Sequence, residues 1–297
     1  IMKLSELSRS IEGKVAIVTG AASGMGRATA RLFADEGAHV AALDVNAEPL
    51  AQVVGEIEAA GYPVKGWVVD LSDGAAIARV IGEVAEHFGG IDILINNAGI
   101  SRFAPIDSED YEAAWDISLS VLLTAHTRTI RAALPYLRDA EFGRIVNIAS
   151  TEGLGATKFG SPYTAAKTGV IGLTRSLAVE LGTENITVNC ICPGPIRTGM
   201  TEAISDADKA EFARRRVAHQ RHAEPEELAQ GTLSLVRPAS SFITGVTLPV
   251  DGGLTIRNAE RPCRTRADPV GQTWSGRPGR VDRAVGQLRP GKVAHAP

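Results

Sequence analysis

The sequence is poor in cysteine and in aromatic residues. It has 3 cysteines among 297 residues, and aromatic side chains make up 5% of the chain. Cys190 and Cys192 lie two positions apart in an apparent strand and point the same way, while Cys263 lies in a compositionally distinct tail. These positions indicate neither a disulfide framework nor a metal site, and we expect a reducing compartment.

Long apolar runs are also missing, although 44% of the residues are hydrophobic. The runs of Val, Ile, Leu and Ala are shorter than the ~20 residues that a membrane-spanning helix requires. The segment 2–13 is polar and of mixed charge, unlike a secretory signal peptide. We therefore expect a cytoplasmic protein with no membrane partner and with ample apolar material for a core.

The chain has no overall excess of positive charge, because its formal net charge is -3. Residues 260–297 hold eight Lys and Arg against three Asp and Glu, a charge of +5, so the preceding residues carry -8. An acidic body argues against nucleic acid as a partner. The tail has no periodic apolar face, so we predict one domain over residues 1–259 and disorder over 260–297.

What the sequence does contain is a regular alternation of strand-length apolar runs and helical segments. This alternation predicts an α/β fold, a Rossmann-type doubly wound parallel sheet of about seven strands with helices on both faces. The first six strands lack polar alternation, as strands buried on both faces should. The predicted strands are 15–18, 40–43, 64–69, 91–95, 144–148, 187–191 and 247–250. The predicted helices are 25–36, 47–60, 72–88, 109–137, 162–181 and 225–236. The charged segment 199–222 is interpreted as a helical insertion that forms a lid.

A glycine-rich segment, residues 19–26, lies between the first predicted strand and the first predicted helix. Its glycines, Gly20, Gly24 and Gly26, allow the backbone to turn sharply and to approach a pyrophosphate, whose charge then rests on the amide groups of the helix N-terminus. A glycine cluster alone also fits an ordinary strand-to-helix turn. The order of strand, loop and helix favours dinucleotide binding.

Asp44 follows the second predicted strand, 18 residues after Gly26. A carboxylate there can accept hydrogen bonds from ribose hydroxyls, and it repels a 2′-phosphate. Neither the segment 20–25 nor the positions just after Asp44 contain Arg or Lys. This pattern predicts NAD rather than NADP as cofactor. The alternative is a turn aspartate that caps the following helix.

Tyr163 and Lys167 fall near the start of a predicted helix, one turn apart on the same face. A phenol with its usual pKa near ~10 is a poor acid or base at neutral pH, but an adjacent ammonium stabilises the phenolate and lowers that pKa. Ser150 ends the preceding strand, where its hydroxyl can bind a substrate oxygen. Taken alone, this spacing also fits an ordinary surface pair on a helix.

Over about residues 13–259 the sequence resembles the classical short-chain dehydrogenases/reductases. The resemblance rests on motifs in the family's order and spacing: the glycine motif at 19–26, Asn96-Asn97-Ala98-Gly99, Ser150, Tyr163 with Lys167, Pro193-Gly194, and the terminal Asp-Gly-Gly at 251–253. It implies that Tyr163 is the general acid/base, that Lys167 lowers its pKa and binds the nicotinamide ribose, and that Ser150 orients the substrate.

The same resemblance implies the residues that hold the NAD cofactor. Asp70 and Leu71 are expected to border the adenine, and Ile196 and Thr198 to contact the carboxamide. Asn97 is expected to support the centre of the sheet near the cofactor. The expected cofactor-binding residues are Gly20, Ser23, Gly24, Met25, Gly26, Asp44, Asp70, Leu71, Asn97, Ala98, Gly99, Tyr163, Lys167, Pro193, Gly194, Ile196 and Thr198. The resemblance also implies a homotetramer or homodimer.

One position departs from the family pattern. The family usually has an asparagine in the fourth crossover helix that holds a water of the proton relay, and this sequence places Leu122 there. A leucine side chain cannot bind water. Three alternatives are open: the backbone carbonyl suffices, Ser118 or Ser120 substitutes, or turnover is slow.

We expect an NAD(H)-dependent oxidoreductase that interconverts a secondary alcohol, such as a polyol, sugar acid or cyclic alcohol, and its ketone. The main alternative is a 3-oxoacyl-(acyl-carrier-protein or CoA) reductase. Such reductases usually prefer NADP and carry a basic residue where this chain has Glu184, so both features argue against it. A third hypothesis is a non-catalytic scaffold that binds the dinucleotide. The basic cluster at 214–222 either attracts an anionic substrate or is a solvated face of the lid.

Overall fold

The computed structural model describes residues 6–258. The predicted tail 260–297, including Cys263, lies outside the described residues. The described chain forms a seven-stranded sheet in the order β3-β2-β1-β4-β5-β6-β7, and every neighbouring pair is parallel. The predicted α/β fold class is confirmed.

The strands follow the apolar runs of the sequence. They are β1 (Val15–Thr19), β2 (His39–Asp44), β3 (Val64–Val68), β4 (Ile93–Asn96), β5 (Gly143–Ile148), β6 (Ile186–Pro193) and β7 (Thr247–Val250). The helices are α1 (Gly24–Asp35), α2 (Ala47–Ala59), α3 (Gly74–Phe88), α4 (Tyr111–Leu119), α5 (Ala125–Asp139), α6 (Ser161–Glu180), α7 (Asp206–Arg216) and α8 (Pro225–Val236). Two apolar clusters, one on each face of the sheet, form most of the core.

The strand order reverses between β1 and β4. From β1 the chain builds β2 and β3 on one side, and then returns to place β4 on the other side. Such a switch point opens a crevice at the carboxyl ends of the strands, where ligands bind in open α/β sheets.

The prediction that the third strand is buried on both faces was wrong. β3 pairs only with β2 within the described sheet, and Val68 is 53% exposed while Lys65 is also exposed. β3 is the outermost strand on its side of the described sheet, and the helices do not cover it completely. An apolar run therefore does not ensure burial there.

The predicted helix 109–137 is not one continuous α-helix. It begins at Tyr111, and a π-helical turn, Ser120–Thr124, separates α4 from α5. In this turn the Ala125 N–H donates to the Ser120 carbonyl, five residues earlier. Leu122 lies in this turn and is fully buried, with Cδ2 3.5 Å from the position that a Cβ on Gly99 would occupy.

A chain of buried polar side chains crosses the centre of the sheet below the strand ends. The Thr129 hydroxyl donates to Asn96 Oδ1 at 2.7 Å, and Asn96 Nδ2 donates to Asn147 Oδ1 at 3.0 Å. Asn147 Nδ2 donates in turn to the Thr174 hydroxyl at 3.0 Å, and that hydroxyl donates to the Val170 carbonyl. This polar chain joins α5, β4, β5 and α6.

The charged insertion contains the short helix α7, as predicted. Part of its basic cluster is neutralised locally, because Arg214 pairs with Glu211 at 2.9 Å and Arg221 pairs with Glu227 at 2.6 Å. These exposed ion pairs favour the interpretation of the basic cluster as a solvated face.

Candidate active site

The glycine segment makes the closest backbone contacts at the carboxyl ends of the strands. Gly20 has φ +68°, and a Cβ on it would lie 2.8 Å from Ala98 Cα. A Cβ on Gly26 would lie 2.0 Å from the Gly20 carbonyl oxygen. Glycine is therefore required at both positions for α1 to pack on the loop.

Asn97 and Thr19 join the loops that follow β1 and β4. The Thr19 hydroxyl accepts from the Asn97 and Ala98 backbone N–H groups at 2.9 and 3.0 Å, and Asn97 Nδ2 donates to the Thr19 carbonyl at 2.8 Å. Sequence reasoning placed Asn97 here but missed Thr19. The sequence feature that could have identified Thr19 is its hydroxyl group immediately before the first glycine of the segment.

The N-terminus of α1 opens onto a cavity of about 430 Å³. Ser23 is the N-cap residue, and its side chain makes no capping hydrogen bond with the described residues. Gly24 has φ +52°, and its missing Cβ would lie 3.1 Å from the Thr198 methyl group. The structure thus brings Thr198 beside the glycine segment. Amide groups at a helix N-terminus, with backbone that admits no side chains, fit the pyrophosphate of a dinucleotide.

Asp44 ends β2 next to the glycine segment. Its Oδ2 accepts from the Ala22 N–H at 3.0 Å, and its Oδ1 accepts from the backbone N–H and side-chain amide of Asn46. The N-cap of α2 is Asn46, so the alternative that Asp44 caps this helix does not hold. A carboxylate has about four acceptor sites, so Asp44 can brace the loop and still accept from a ligand hydroxyl.

Asp70 and Leu71 follow the third strand on the same side of the sheet. The Val69 N–H donates to the Asp44 carbonyl at 2.9 Å, which places this loop beside Asp44. Asp70 Oδ1 accepts from the Ser72 N–H at 2.8 Å, and Leu71 is partly buried against the core. The pair lies where the adenine end of a dinucleotide would extend.

Ser150 and Tyr163 bring two hydroxyl groups together. Ser150 lies two residues beyond β5 and caps the 3₁₀ turn Thr151–Gly153, where its Oγ accepts from the Glu152 N–H at 3.1 Å. Its hydroxyl also acts on the Tyr163 phenol and lowers the pKa of that phenol. The Phe103 ring stacks against that of Tyr163 at 6.2 Å between centroids. The two hydroxyls can therefore bind one substrate oxygen between them.

The expectation that Lys167 gives Tyr163 a lowered pKa was wrong for the structure described. Burial raises the pKa of the phenol above 10, more than the hydrogen bond from Ser150 lowers it, and the Glu152 carboxylate raises it further. Lys167 Nζ lies 5.8 Å from the phenol ring centroid. Desolvation of the phenolate is thus the dominant effect.

Lys167 is 3% exposed, and its Nζ donates to the Ile148 carbonyl at 2.7 Å. Burial lowers the pKa of this ammonium to about 8. Cys190 and Cys192 have the opposite, smaller effect and raise that pKa. Both cysteines are free and buried on the same strand. An ammonium with a pKa close to neutrality can both hold a charge beside Tyr163 and release a proton.

Sequence reasoning missed His126, the second residue of α5. Its side chain is 3% exposed, and neither ring nitrogen has a hydrogen-bond partner among the described residues. Burial, followed by the charge of Lys167, lowers the pKa of His126 from 6.5 to about 3. Only the structure shows that this histidine is buried near Lys167.

The Pro193-Gly194 element follows β6 and packs on the terminal Asp-Gly-Gly. A Cβ on Gly194 would lie 2.6 Å from Asp251 Cα, so the two segments touch through backbone. Ile196 is buried and forms an isolated bridge with Ala223. Asp251 accepts from Thr255 at 2.7 Å, which fixes the terminal turn behind the site.

Within residues 6–258, no group of three or more His, Cys, Asp or Glu side chains is placed to hold a metal ion. In the same part of the chain, no helix is both long enough and apolar enough to cross a bilayer.

Known proteins with similar sequences are oxidoreductases. The chain is 40% identical over 246 residues to (2S)-[(R)-hydroxy(phenyl)methyl]succinyl-CoA dehydrogenase subunit BbsD of Thauera aromatica, covering 83% of this chain and 98% of that protein. It is also 40% identical to the 3-oxoacyl-[acyl-carrier-protein] reductase FabG of Thermotoga maritima, with 83% and 99% covered. D-threitol dehydrogenase of Mycolicibacterium smegmatis is 34% identical, with 83% and 95% covered.

A solved structure has the same fold. The crystal structure of a dehydrogenase/reductase from Sinorhizobium meliloti 1021 aligns with a TM-score of 0.78 and 39% sequence identity, covering 83% of this chain and 97% of that one. Residues 20–255 match the family described as Enoyl-(Acyl carrier protein) reductase. The chain therefore belongs to the short-chain dehydrogenase/reductase family of oxidoreductases, whose members bind a nicotinamide dinucleotide.

Proposed function

We propose that this oxidoreductase uses NAD(H) to interconvert a secondary alcohol and its ketone. The observation that carries the proposal is the group formed by Ser150, which acts on the pKa of the Tyr163 phenol, Tyr163 itself and the Lys167 ammonium 5.8 Å from the phenol ring centroid, with the glycine segment at the same end of the sheet. That arrangement combines a site for a substrate oxygen with a proton donor or acceptor.

In the oxidation direction, Ser150 and Tyr163 bind the alcohol oxygen, and the Tyr163 phenolate takes the hydroxyl proton as the carbonyl forms. The dinucleotide that the glycine segment and Asp44 would hold would supply the acceptor for the hydride of the carbinol carbon. In the reduction direction, the Tyr163 phenol donates its proton to the carbonyl oxygen. Because burial raises the pKa of Tyr163, the phenol is protonated at neutral pH and ready to act as the acid in reduction.

The preference for NAD rests on Asp44. Its buried carboxylate lies against the glycine segment, where a 2′-phosphate would meet a negative charge. Arg27 of α1 is paired with Glu56 at 2.5 Å. Asp44 thus favours NAD, whose adenine ribose has a free 2′-hydroxyl, over NADP.

The substrate proposal is a small secondary alcohol, such as a polyol, sugar acid or cyclic alcohol. The Phe103 ring stacks against that of Tyr163, so an aromatic side chain borders the residue proposed to bind the reacting oxygen. The relative named D-threitol dehydrogenase supports a polyol. The relatives named 3-oxoacyl-[acyl-carrier-protein] reductase and succinyl-CoA dehydrogenase subunit support a second candidate, a 3-oxoacyl thioester.

The test is a matrix of cofactors and substrates with the purified protein. NAD⁺ and NADP⁺ are combined with secondary alcohols, and NADH and NADPH with ketones and 3-oxoacyl thioesters, followed by the absorbance of the reduced nicotinamide. We expect turnover with NAD(H) and its loss in Tyr163→Phe. NADPH-dependent reduction of thioesters would favour the second candidate. Dinucleotide binding without turnover on any substrate would favour the scaffold hypothesis.

We also propose that the protein assembles as a homotetramer or homodimer. Val179 near the end of α6, Phe242 and Ile256 each expose most of their apolar side chain. Such side chains are candidates for burial between copies. Sedimentation of the full chain and of a chain ending at residue 259 measures the assembly and whether the Arg-rich tail affects it.

A further inference from the structure

A carboxylate lies beside the two hydroxyl groups of the site. Glu152 is the middle residue of the 3₁₀ turn that Ser150 caps, and its N–H donates to Ser150 Oγ at 3.1 Å. The turn packs closely on α6, because a Cβ on Gly153 would lie 2.9 Å from the Lys167 carbonyl oxygen. The backbone of Glu152 is therefore held between Ser150 and α6.

The side chain of Glu152 also reaches α6. Its Oε2 accepts from the Thr164 hydroxyl at 3.3 Å, and Thr164 is the residue after Tyr163. Its Oε1 accepts from the Thr157 hydroxyl at 2.6 Å. In agreement with this placement, the Glu152 carboxylate contributes to the raised pKa of the Tyr163 phenol. Glu152 thus contacts Ser150 through its backbone and the neighbour of Tyr163 through its side chain.

Among the residues that the structure describes, no cation forms an ion pair with this carboxylate. Lys158 Nζ lies 4.7 Å from the Phe159 ring centroid, and Lys167 Nζ donates to the Ile148 carbonyl. A carboxylate has about four acceptor sites, and the two threonine hydroxyls occupy two of those on Glu152. Acceptor sites therefore remain on a negative charge beside the hydroxyls that are proposed to bind the substrate oxygen.

A carboxylate in this position selects substrates by charge and by hydrogen bonding. It accepts strong hydrogen bonds from hydroxyl groups, it repels a second carboxylate, and its desolvation against an alkyl chain is costly. A neutral polyol meets these requirements, because one hydroxyl reacts and a neighbouring hydroxyl can donate to the carboxylate. A 3-oxoacyl thioester has no hydroxyl beside its reacting carbonyl.

We propose that Glu152 is a specificity-determining residue that accepts a hydrogen bond from a second substrate hydroxyl, next to the one that reacts. The substrates are then neutral vicinal diols and polyols, and alcohols with a neighbouring carboxylate, such as sugar acids, are disfavoured. This inference rests on the proposed function, which it narrows, because it concerns the groups around the reacting alcohol.

The alternative is that Glu152 only anchors its turn through the Thr157 and Thr164 hydroxyls. The two roles require different properties of the side chain. Anchoring needs an oxygen that accepts hydrogen bonds, which glutamine also has, whereas selection by charge needs the carboxylate. Glu152→Gln therefore removes the charge and keeps an acceptor. Thr157→Val removes an anchoring hydrogen bond and keeps the charge.

The kinetic experiment uses three secondary alcohols with the same four-carbon chain: 2-butanol, the vicinal butanediol and 3-hydroxybutyrate. The kcat/KM values for oxidation of the diol and of the acid by NAD⁺ are divided by that for 2-butanol, so that the effect of Glu152 on the pKa of Tyr163 cancels. We expect Glu152→Gln to lower the ratio for the diol about 10-fold, because a hydrogen bond to a charged group becomes one to a neutral group. The same variant should raise the ratio for the acid about 10-fold, because a like charge is removed.

Thr157→Val is the matched control and should leave both ratios at their wild-type values. Equal ratios in the wild type and Glu152→Gln would overturn the inference. The same changes in Thr157→Val would also overturn it, because they would assign the selectivity to the anchoring of the turn. A wild type that prefers 2-butanol to the diol would contradict it as well.

A binding experiment distinguishes failure of this inference from failure of the proposed function. Protein saturated with NADH is titrated with the vicinal butanediol in a calorimeter, and no reaction occurs because both molecules are reduced. We expect about 10-fold weaker binding in Glu152→Gln than in the wild type or Thr157→Val. This result in a protein that oxidises no alcohol would refute the proposed function alone. Equal binding in Glu152→Gln and the wild type, or no binding to the wild type, would refute the inference.

Discussion

The buried histidine makes the stability of this protein sensitive to acid. His126 has a pKa of about 3 in the folded chain against 6.5 for an ordinary histidine. Between these two values the unfolded chain binds a proton at this position and the folded chain does not, so stability falls as the pH is lowered. The contribution is fully present above pH ~6.5 and is lost progressively as the pH falls toward ~3.

The size of the effect follows from the two pKa values. One pKa unit corresponds to about 1.4 kcal/mol, so at pH ~4.5 the His126 contribution lowers the free energy of unfolding by about 3 kcal/mol relative to pH ~7.5. His126→Gln removes the titrating group but keeps a polar side chain of similar length. The variant is therefore expected to lose about 3 kcal/mol less than the wild type over this interval.

Urea unfolding followed by circular dichroism at both pH values measures this difference. Many carboxylates also titrate over the interval, but they are common to both proteins and cancel in the comparison. The exposed His87, changed to Gln, is a matched control and should show the wild-type pH dependence. Equal losses of stability in wild type and His126→Gln would refute the reasoning, since they would mean that His126 titrates in the folded protein as it does in water.

Three further predictions concern the cofactor site, the proton donor and the core. Asp44→Ala should weaken NADH binding and raise the affinity for NADPH relative to NADH, because the charge that opposes a 2′-phosphate is removed. Fluorescence titration measures both affinities, and an unchanged ratio would show that other groups determine the cofactor preference. The rate of ketone reduction should stay level from about pH 6 to 8.5, whereas the rate of alcohol oxidation should rise with pH, because burial raises the pKa of Tyr163. Stopped-flow rates at each pH measure both, and an oxidation rate that is maximal at neutral pH would contradict the prediction. Asn96→Leu should destabilise the fold by about 1–3 kcal/mol in urea unfolding, because it leaves the buried Asn147 Oδ1 without its donor, while the Thr129 hydroxyl still donates to backbone carbonyls of α5. Unchanged stability would show that the polar chain is not needed.

Much of the fold could be predicted because its signals are local. Apolar runs and helical periodicity placed the strands and most helices, and the order of strand, glycine segment and helix identified a dinucleotide site. The exposure of Val68 could not be read in this way, because burial at the rim of a sheet depends on which strand is outermost. The π-helical turn Ser120–Thr124 was equally invisible, since the same residues fit a regular helix.

The site residues were found by motif, but their electrostatics were not. The sequence places Tyr163 one turn from Lys167, which suggests a lowered tyrosine pKa. In the fold, burial of the phenol outweighs that effect. His126 was missed for a related reason: only the fold buries its side chain and subjects it to the charge of Lys167. Such effects depend on solvent exclusion by distant segments, which spacing along the chain does not report.

The π-helical turn has a consequence for insertions and deletions. The turn holds about one residue more than an α-helical turn, so removing one residue from 120–124 would give a regular α-helix and leave the helix after it nearly in place. Removing a residue from the regular part of the same helix would instead rotate everything after it by about 100°, and Thr129 would then no longer reach Asn96. A one-residue gap at 120–124 in an aligned sequence would therefore mark a chain with a regular helix here and with the same contacts beyond it.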